Sequence, residues 1–433
     1  MGYSVYSKSL LRSGLALAFA GLSIHAQAQS PAITSWVLNR TGLTGYNCSG
    51  CTPAHYGTIA ANIQHVYYTT TDVYIKCAAI PSYNIGPWPG NPNVPSDQNL
   101  VEKIPLNPTP NTGTPTAVPM GKAGVWSNGV TMYNPKDGFY WDTTTHAFGN
   151  TIGVTGQWNR NAYLFEGPSF DACLGHPDQG GSYHNHVNPT CIYDATATTV
   201  HSPIIGYAFD GYPVYGAYAY SDTNGTGAIR RMRSSYVLTT ATTRSGGPTM
   251  SAYAAGTFIE DFVYTPGAGD LDQHNGRWCK TPEYPSGTYA YFVTIDSTGT
   301  PQYPFILGPT YYGNVVTTDI GMTGGHNTVP TGATEYIPTA VIEENVASNE
   351  VIVAPNPAPS SDIRFEIPNT NKNVLVSLID FQGRALVIKN LQAGKFTANQ
   401  SFSAPQLGAG MYLLRFEFEN GERIVKRVEV IEE

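Results

Sequence analysis

Across residues 29–350 no apolar stripe recurs at 3.6-residue spacing for ten or more positions, so the chain offers no long helix around which a core could form. Period two recurs instead. Val73, Ile75 and Cys77 alternate with Asp72, Tyr74 and Lys76, the pattern of a half-buried strand. Thr288 to Thr294 and Tyr303 to Leu307 read as further strands. The 29 tyrosines, with many Val, Thr and Ile residues, favour the same state. Glycine (45) and proline (32) supply frequent turns while staying below the share that marks disorder. Residues 84–119, rich in Pro, Asn and Gly, read as one long irregular excursion. The expected class is mainly β.

The N-terminus reads as an export signal over residues 1–28: Lys8 and Arg12, then an apolar stretch from Leu15 to Ile24, then Ala26-Gln27-Ala28. Gln29 would begin the mature chain. No later run approaches the roughly 18 apolar residues of a membrane span. Beyond the signal, 21 basic residues face 31 acidic ones, which argues against nucleic acid as a partner. In an exported protein six cysteines imply disulfides. Cys173–Cys191 is the preferred pair because it closes a loop around two histidines. A further bond is expected among Cys48, Cys51 and Cys77, with Cys279 taking the remaining partner or staying free.

Charge density divides the chain. Residues 29–350 hold 12 basic and 22 acidic residues, whereas the 83 residues from 351 to 433 hold nine of each. The division places a first domain at 29–340, a linker at 341–353 and a small domain at 354–433. In the last of these, Val374 to Phe381 and Arg384 to Ile388 flank Gln382-Gly383, the pattern of a hairpin. Tyr412, Leu414, Phe416 and Phe418 alternate with polar neighbours before Asn420-Gly421, a strong hairpin signal, and Val428 and Val430 follow. A small Ig-like β-sandwich is expected. Pro355-Asn356-Pro357, Asp380-Phe381-Gln382-Gly383-Arg384, Gly408 to Arg415 and Lys426-Arg427-Val428 occur in order. Together they resemble the type A C-terminal sorting domain of the type IX secretion system. That resemblance implies a Bacteroidota-type source and the type IX machinery as partner. It also implies passage through the periplasm, removal of the tail, and attachment to the outer-membrane surface or release.

The chemistry concentrates between Asp171 and Gly216. Four of the ten histidines, His176, His184, His186 and His201, fall within 26 residues. If extended, His184 and His186 share one face at roughly 6–7 Å and can share an ion. His201 is the expected third ligand, leaving an open position. His176 and Asp210 are further candidates, as ligands or as groups fixing an imidazole tautomer. Each also has a plainer reading, as a hydrogen-bonded or turn residue. Three imidazoles suit zinc or copper, while the nearby carboxylates keep calcium and manganese open. No HExxH motif is present.

Asp270 to Arg277 and Thr281 to Pro285 form a second polar segment, from which Asp272, His274 and Glu283 could approach the histidines. These segments resemble the YHYH-domain family. The matching residues are Cys173-Leu174-Gly175-His176-Pro177, Tyr183-His184-Asn185-His186, His201-Ser202-Pro203 through Tyr215-Gly216, Asn275-Gly276-Arg277 and Thr281-Pro282-Glu283-Tyr284-Pro285. Coverage is about residues 120–315. The chain departs from the family at Asn185, where the motif has Tyr; period two turns that position away from both histidines. The resemblance supplies a domain name without an established activity. Three functions follow as expectations: a metal-binding surface protein; a non-catalytic module recognising a carbohydrate or protein; or a metal-dependent hydrolase with Asp210 or Glu283 as base.

Overall fold

The computed structural model describes residues 29–40, 42–150 and 158–338 and, in the tail, 351–367, 373–379, 385–394, 399–404, 407–408, 410–418 and 423–431. The expected signal segment, most of the expected linker and the expected turns Gln382-Gly383 and Asn420-Gly421 lie outside these residues.

Among the described residues the α-helices are two short ones, Pro31–Thr34 and Ala162–Phe165, and apart from two 3-10 turns, Gly167–Ser169 and Ile259–Asp261, the rest of the regular structure is strand. The first domain is organised by an eight-stranded sheet. Its order is His176–Pro177, Tyr183–Asn185, Thr131–Tyr133, Lys122–Trp126, Ile204–Ala208, Pro213–Tyr215, Thr288–Phe292 and Gly276–Cys279. Two pairings are parallel, Tyr183–Asn185 with Thr131–Tyr133 and Pro213–Tyr215 with Thr288–Phe292. The central strands are buried along their whole length, with Val125, Trp126, Tyr207, Ala208, Val214, Tyr215, Tyr291 and Phe292 at most 1% exposed. Burial on both faces is why these strands read as continuous apolar runs rather than alternations.

One face packs on a four-stranded sheet ordered Thr334–Glu335, Ile63–Tyr68, Asp72–Cys77 and Leu100–Pro105. Val66, Val73, Ile75 and Ile104 meet Tyr207, Phe209 and Phe292 in that layer. The expected alternation holds at Val73, Ile75 and Cys77, but Tyr74 is also buried. The excursion 84–119 is irregular apart from Leu100–Pro105. Tyr303 to Leu307 is not a strand. It is a turn, with Phe305 at φ +70° and its N–H donated to the Gln302 carbonyl, so its burial comes from packing rather than from pairing.

Cys48–Cys51 and Cys173–Cys191 are bonded, while Cys77 and Cys279 are buried thiols. Burial pushes the Cys77 thiol up to about 12 and raises that of Cys279, so neither offers a reactive thiolate.

The tail is a two-sheet sandwich. Ile352–Val353, Ile363–Glu366 and Asn399–Phe402 face a five-stranded sheet ordered Ala358–Pro359, Arg423–Ile431, Gly410–Phe418, Val374–Ile379 and Ala385–Leu391. Leu414, Phe416, Val428 and Val430 point inward as period two requires, against Phe365, Val376 and Leu378.

Candidate metal centre

The site grows from the edge of the large sheet. His176–Pro177 pairs antiparallel with Tyr183–Asn185, and the register sets His176 directly opposite His184. Residues so paired share a face. The connecting turn is held by Asp178, whose Oδ1 accepts the N–H groups of Gly180 and Ser182 and whose Oδ2 accepts the Tyr133 hydroxyl at 2.7 Å. His186, two residues past His184, returns to the same face. His184 stacks on Tyr133 with ring centres 3.8 Å apart, and Phe170 packs edge-on against His176.

Each imidazole is oriented from behind. His184 Nδ1 lies 2.9 Å from the Ser182 carbonyl and His186 Nδ1 lies 2.5 Å from the Asn134 carbonyl. A carbonyl only accepts, so both Nδ1 atoms carry the proton. His176 Nδ1 lies 2.9 Å from the Ser169 hydroxyl, which donates to the Glu166 carbonyl, and 3.4 Å from the Asn91 side-chain amide. All three rings thus turn Nε2 inward. His184 Nε2 and His186 Nε2 are 3.0 Å apart, and one nitrogen from each of the three histidines lies within 4.8 Å of the others. Two imidazole nitrogens sharing a tetrahedral ion would stand about 3.3 Å apart.

Glu166 completes the ring. Asn161 caps the helix Ala162–Phe165 by accepting the Tyr163 N–H, and the helix stops where Gly167-Pro168 turns into a 3-10 segment. That junction sets Glu166 Oε2 3.0 Å from His186 Nε2 and 3.6 Å from His176 Nε2. Neither His176 Nε2 nor Glu166 Oε2 has a well-formed hydrogen bond, although both are buried.

Burial, then the neighbouring imidazoles, hold His184 well below the usual range for histidine. Burial and the charge of His186 bring His176 to about 4. Burial alone would lower His186 as well, but the Glu166 carboxylate raises it overall. Glu166 is pushed up by burial yet ends below its ordinary value because of His186 and His176. Burial thus disfavours a proton on His176 and His184, the Glu166 carboxylate favours one on His186, and a cation entering the ring would compete with that proton.

Behind the ring, Asp171 ties the histidine segment to the excursion 84–119. Its carboxylate accepts the Tyr183 hydroxyl, the Gly86 and Trp88 N–H donors, and the N–H groups of Cys173 and Gly175. Gly86 sits at φ +79°, and a Cβ there would lie 3.0 Å from Cys48 Sγ, so the Cys48–Cys51 bridge packs directly on the donor. Asn185 points away from the ring, as period two predicts, and donates to the Cys173 and Leu174 carbonyls.

The other expected site residues are elsewhere. His201 precedes the strand Ile204–Ala208, three strand positions from His184, or about 14 Å across the sheet. Its Nδ1 donates to the Ser202 carbonyl, and its ring packs among Tyr215, Tyr220 and Phe292. Asp210 accepts from the Tyr291 hydroxyl and the Gly313 N–H, fixing a turn. Asp272 caps its own turn at His274 and Gly276, and His274 meets Thr310. Glu283 accepts the Tyr215 hydroxyl. The strands flanking this second segment form the opposite edge of the sheet, so it does not approach the histidines. Glu166 carried no sequence signal: it lies ten residues before His176 and reaches the ring only through the tertiary fold.

The YHYH protein family model matches residues 101–304, and the secretion system C-terminal sorting domain model matches residues 353–431. Among solved structures, dimeric latent PorU from Porphyromonas gingivalis is similar at 23% identity over 19% of this chain and 9% of that one, with a TM-score of 0.17. So small a likeness carries nothing about fold or function. No curated protein matches the chain. The chain therefore carries a YHYH domain followed by a type IX sorting domain, which directs it to the outer-membrane surface or to release outside the cell.

Proposed function

We propose that the YHYH domain binds one divalent transition-metal ion through Nε2 of His176, His184 and His186, with the Glu166 carboxylate as fourth ligand. The convergence of three inward Nε2 atoms, each imidazole pinned at Nδ1 by a protein oxygen, carries this reading. Such backing is the usual support of a metal-bound imidazole. Three imidazoles and one carboxylate suit zinc or copper(II) and also accommodate manganese or iron; they are a poor match for calcium, which takes oxygen ligands. His176 replaces His201 in the ligand set. Binding is favoured over hydrolysis because Asp210 and Glu283, the candidate bases, are committed to hydrogen bonds away from the ring.

Metal analysis of the full-length oxidised protein, dialysed after exposure to each ion, should find one equivalent of zinc or copper. Saturating metal should raise the melting temperature, since a ligand at 100 times its Kd stabilises by about 2.7 kcal/mol. Protein that retains none of zinc, copper, manganese or iron, and melts unchanged in their presence, would leave the ring a hydrogen-bonded histidine cluster. Glu166→Gln, which keeps the shape and removes the charge, should weaken binding on the order of 10–100-fold. An unchanged affinity in competition titrations would remove Glu166 from the ligand set.

A further inference from the structure

A separate cavity of about 250 Å³ is lined by none of the ring residues. The strand Tyr236–Leu238 pairs with Phe262–Tyr264, and the register sets Tyr236 and Phe262 on one face. Tyr303 joins them: its ring stacks on Phe262 with centres 4.6 Å apart and meets Tyr236 edge-on at 5.2 Å. The Tyr236 hydroxyl donates to the Gln273 carbonyl at 2.8 Å, which fixes that ring. All three rings line the cavity. At about 30 Å³ for each water, the space holds roughly eight waters, or an organic ligand of similar heavy-atom count.

Two opposite charges line this otherwise largely apolar space, Glu260 and Lys136. Glu260 sits on the 3-10 turn Ile259–Asp261, which fully buried Arg244 anchors through two 2.7 Å bonds to Asp261. Its carboxylate takes the Asn159 N–H at 2.7 Å and the Asn159 side-chain amide at 2.5 Å, which orients it and leaves acceptor capacity on each oxygen. Lys136 and Glu260 act on each other, yet they stand beyond ion-pair distance, and neither pairs with another charge among the described residues. Burial lowers the Lys136 ammonium and raises the Glu260 carboxylate, so both charges are short of stabilising partners. Tyr303 adds a free donor. It is 6% exposed, and its hydroxyl has no hydrogen-bond partner among the described residues, whereas buried hydroxyls are ordinarily paired.

Charge narrows the ligand. An anion alone would face Glu260, and a cation alone would face Lys136. A molecule carrying both charges satisfies both groups, and the aromatic wall calls for a short apolar body beside them. We propose that this cavity binds a free α-amino acid with a short aliphatic side chain. The ammonium is held by Glu260, the carboxylate accepts from Lys136 and the Tyr303 hydroxyl, and the side chain lies against the rings of Tyr236 and Phe262. No bond is made or broken, and the site is independent of the metal.

Isothermal titration of the full-length oxidised protein with L-leucine tests this. Leucine should bind at one site with a Kd of about 1 mM or below. It should bind at least about tenfold more tightly than 4-methylpentanoate, which lacks the ammonium, or 3-methylbutylamine, which lacks the carboxylate. Lys136→Met should bring leucine down to the level of the amine, and Tyr303→Phe, which keeps the ring, should weaken leucine by roughly fivefold. Melting curves establish that the variants are folded. Leucine that does not bind, that binds no better than either control, or that binds either folded variant unchanged overturns the proposal and leaves the cavity to water. If a variant does not fold, the ranking of leucine against its two controls on the unaltered protein decides.

Discussion

Replacing His184 and His186 together by alanine should leave the full-length protein without bound metal while preserving its fold. A four-ligand zinc site is worth about 10–16 kcal/mol of apparent binding energy, so losing half its ligands should cost on the order of 5 kcal/mol, or about 10⁴-fold in affinity. The metal-dependent rise in melting temperature should vanish with the ion. Both imidazoles are buried beside Tyr133, so the cavity left behind will also lower the melting point of the metal-free variant. Metal content, rather than stability, is therefore the decisive readout. His201→Ala is the companion variant, and it should retain a full equivalent of metal because His201 lies among Tyr215, Tyr220 and Phe292. If the double variant keeps its metal while His201→Ala loses it, the ligand set proposed here is wrong.

Asp171→Ala should be among the most destabilising single substitutions in the first domain, at roughly 3–5 kcal/mol. The carboxylate is buried and receives donors from Tyr183, Gly86, Trp88, Cys173 and Gly175. Removing it leaves those groups without an acceptor, and buried donors without partners cost about 1–3 kcal/mol each. Asp171→Asn keeps the shape and one acceptor oxygen and should cost less. Denaturant melts of the oxidised protein would measure both. A loss under about 1 kcal/mol for the alanine variant would show that water replaces the carboxylate without penalty. Tyr183 adjoins His184, so the alanine variant should also bind metal more weakly, a change that a stability effect confined to the far sheet would not produce.

The strand class, the sorting tail and the His184/His186 pair were legible because each is written in local sequence. Alternation sets a strand's face, ordered motifs mark the tail, and two residues of spacing place two imidazoles together. Cys173–Cys191 was legible because a bridge there encloses those histidines. The rest of the site depended on pairing between segments. His176 joins the ring because a short hairpin sets it opposite His184, a register that no residue count reveals. Separation along the chain favours His201 as third ligand, yet the intervening strands Thr131–Tyr133 and Lys122–Trp126 come from earlier in the sequence and insert between it and His184. Tyr303 to Leu307 misled because its apolar composition records burial, not extension.

On the proposed metal reading, the disulfides would give the site a dependence on cellular address. Cys173–Cys191 closes the segment that carries His176, His184 and His186, and Cys48–Cys51 presses on Gly86, whose N–H helps hold Asp171. In a reducing cytosol neither bridge persists, and the segment is free of both constraints. Competence to hold an ion would then arise with oxidation, after the chain has left the compartment in which competing metal-dependent enzymes are loaded. Full-length protein kept reduced should bind metal about tenfold or more weakly than oxidised protein, a difference read in anaerobic competition titrations. Equal affinities would mean that the sheet edge alone sets the ring. On the proposed metal reading, the sorting tail and the bridges would together set where, as well as how, an ion is acquired.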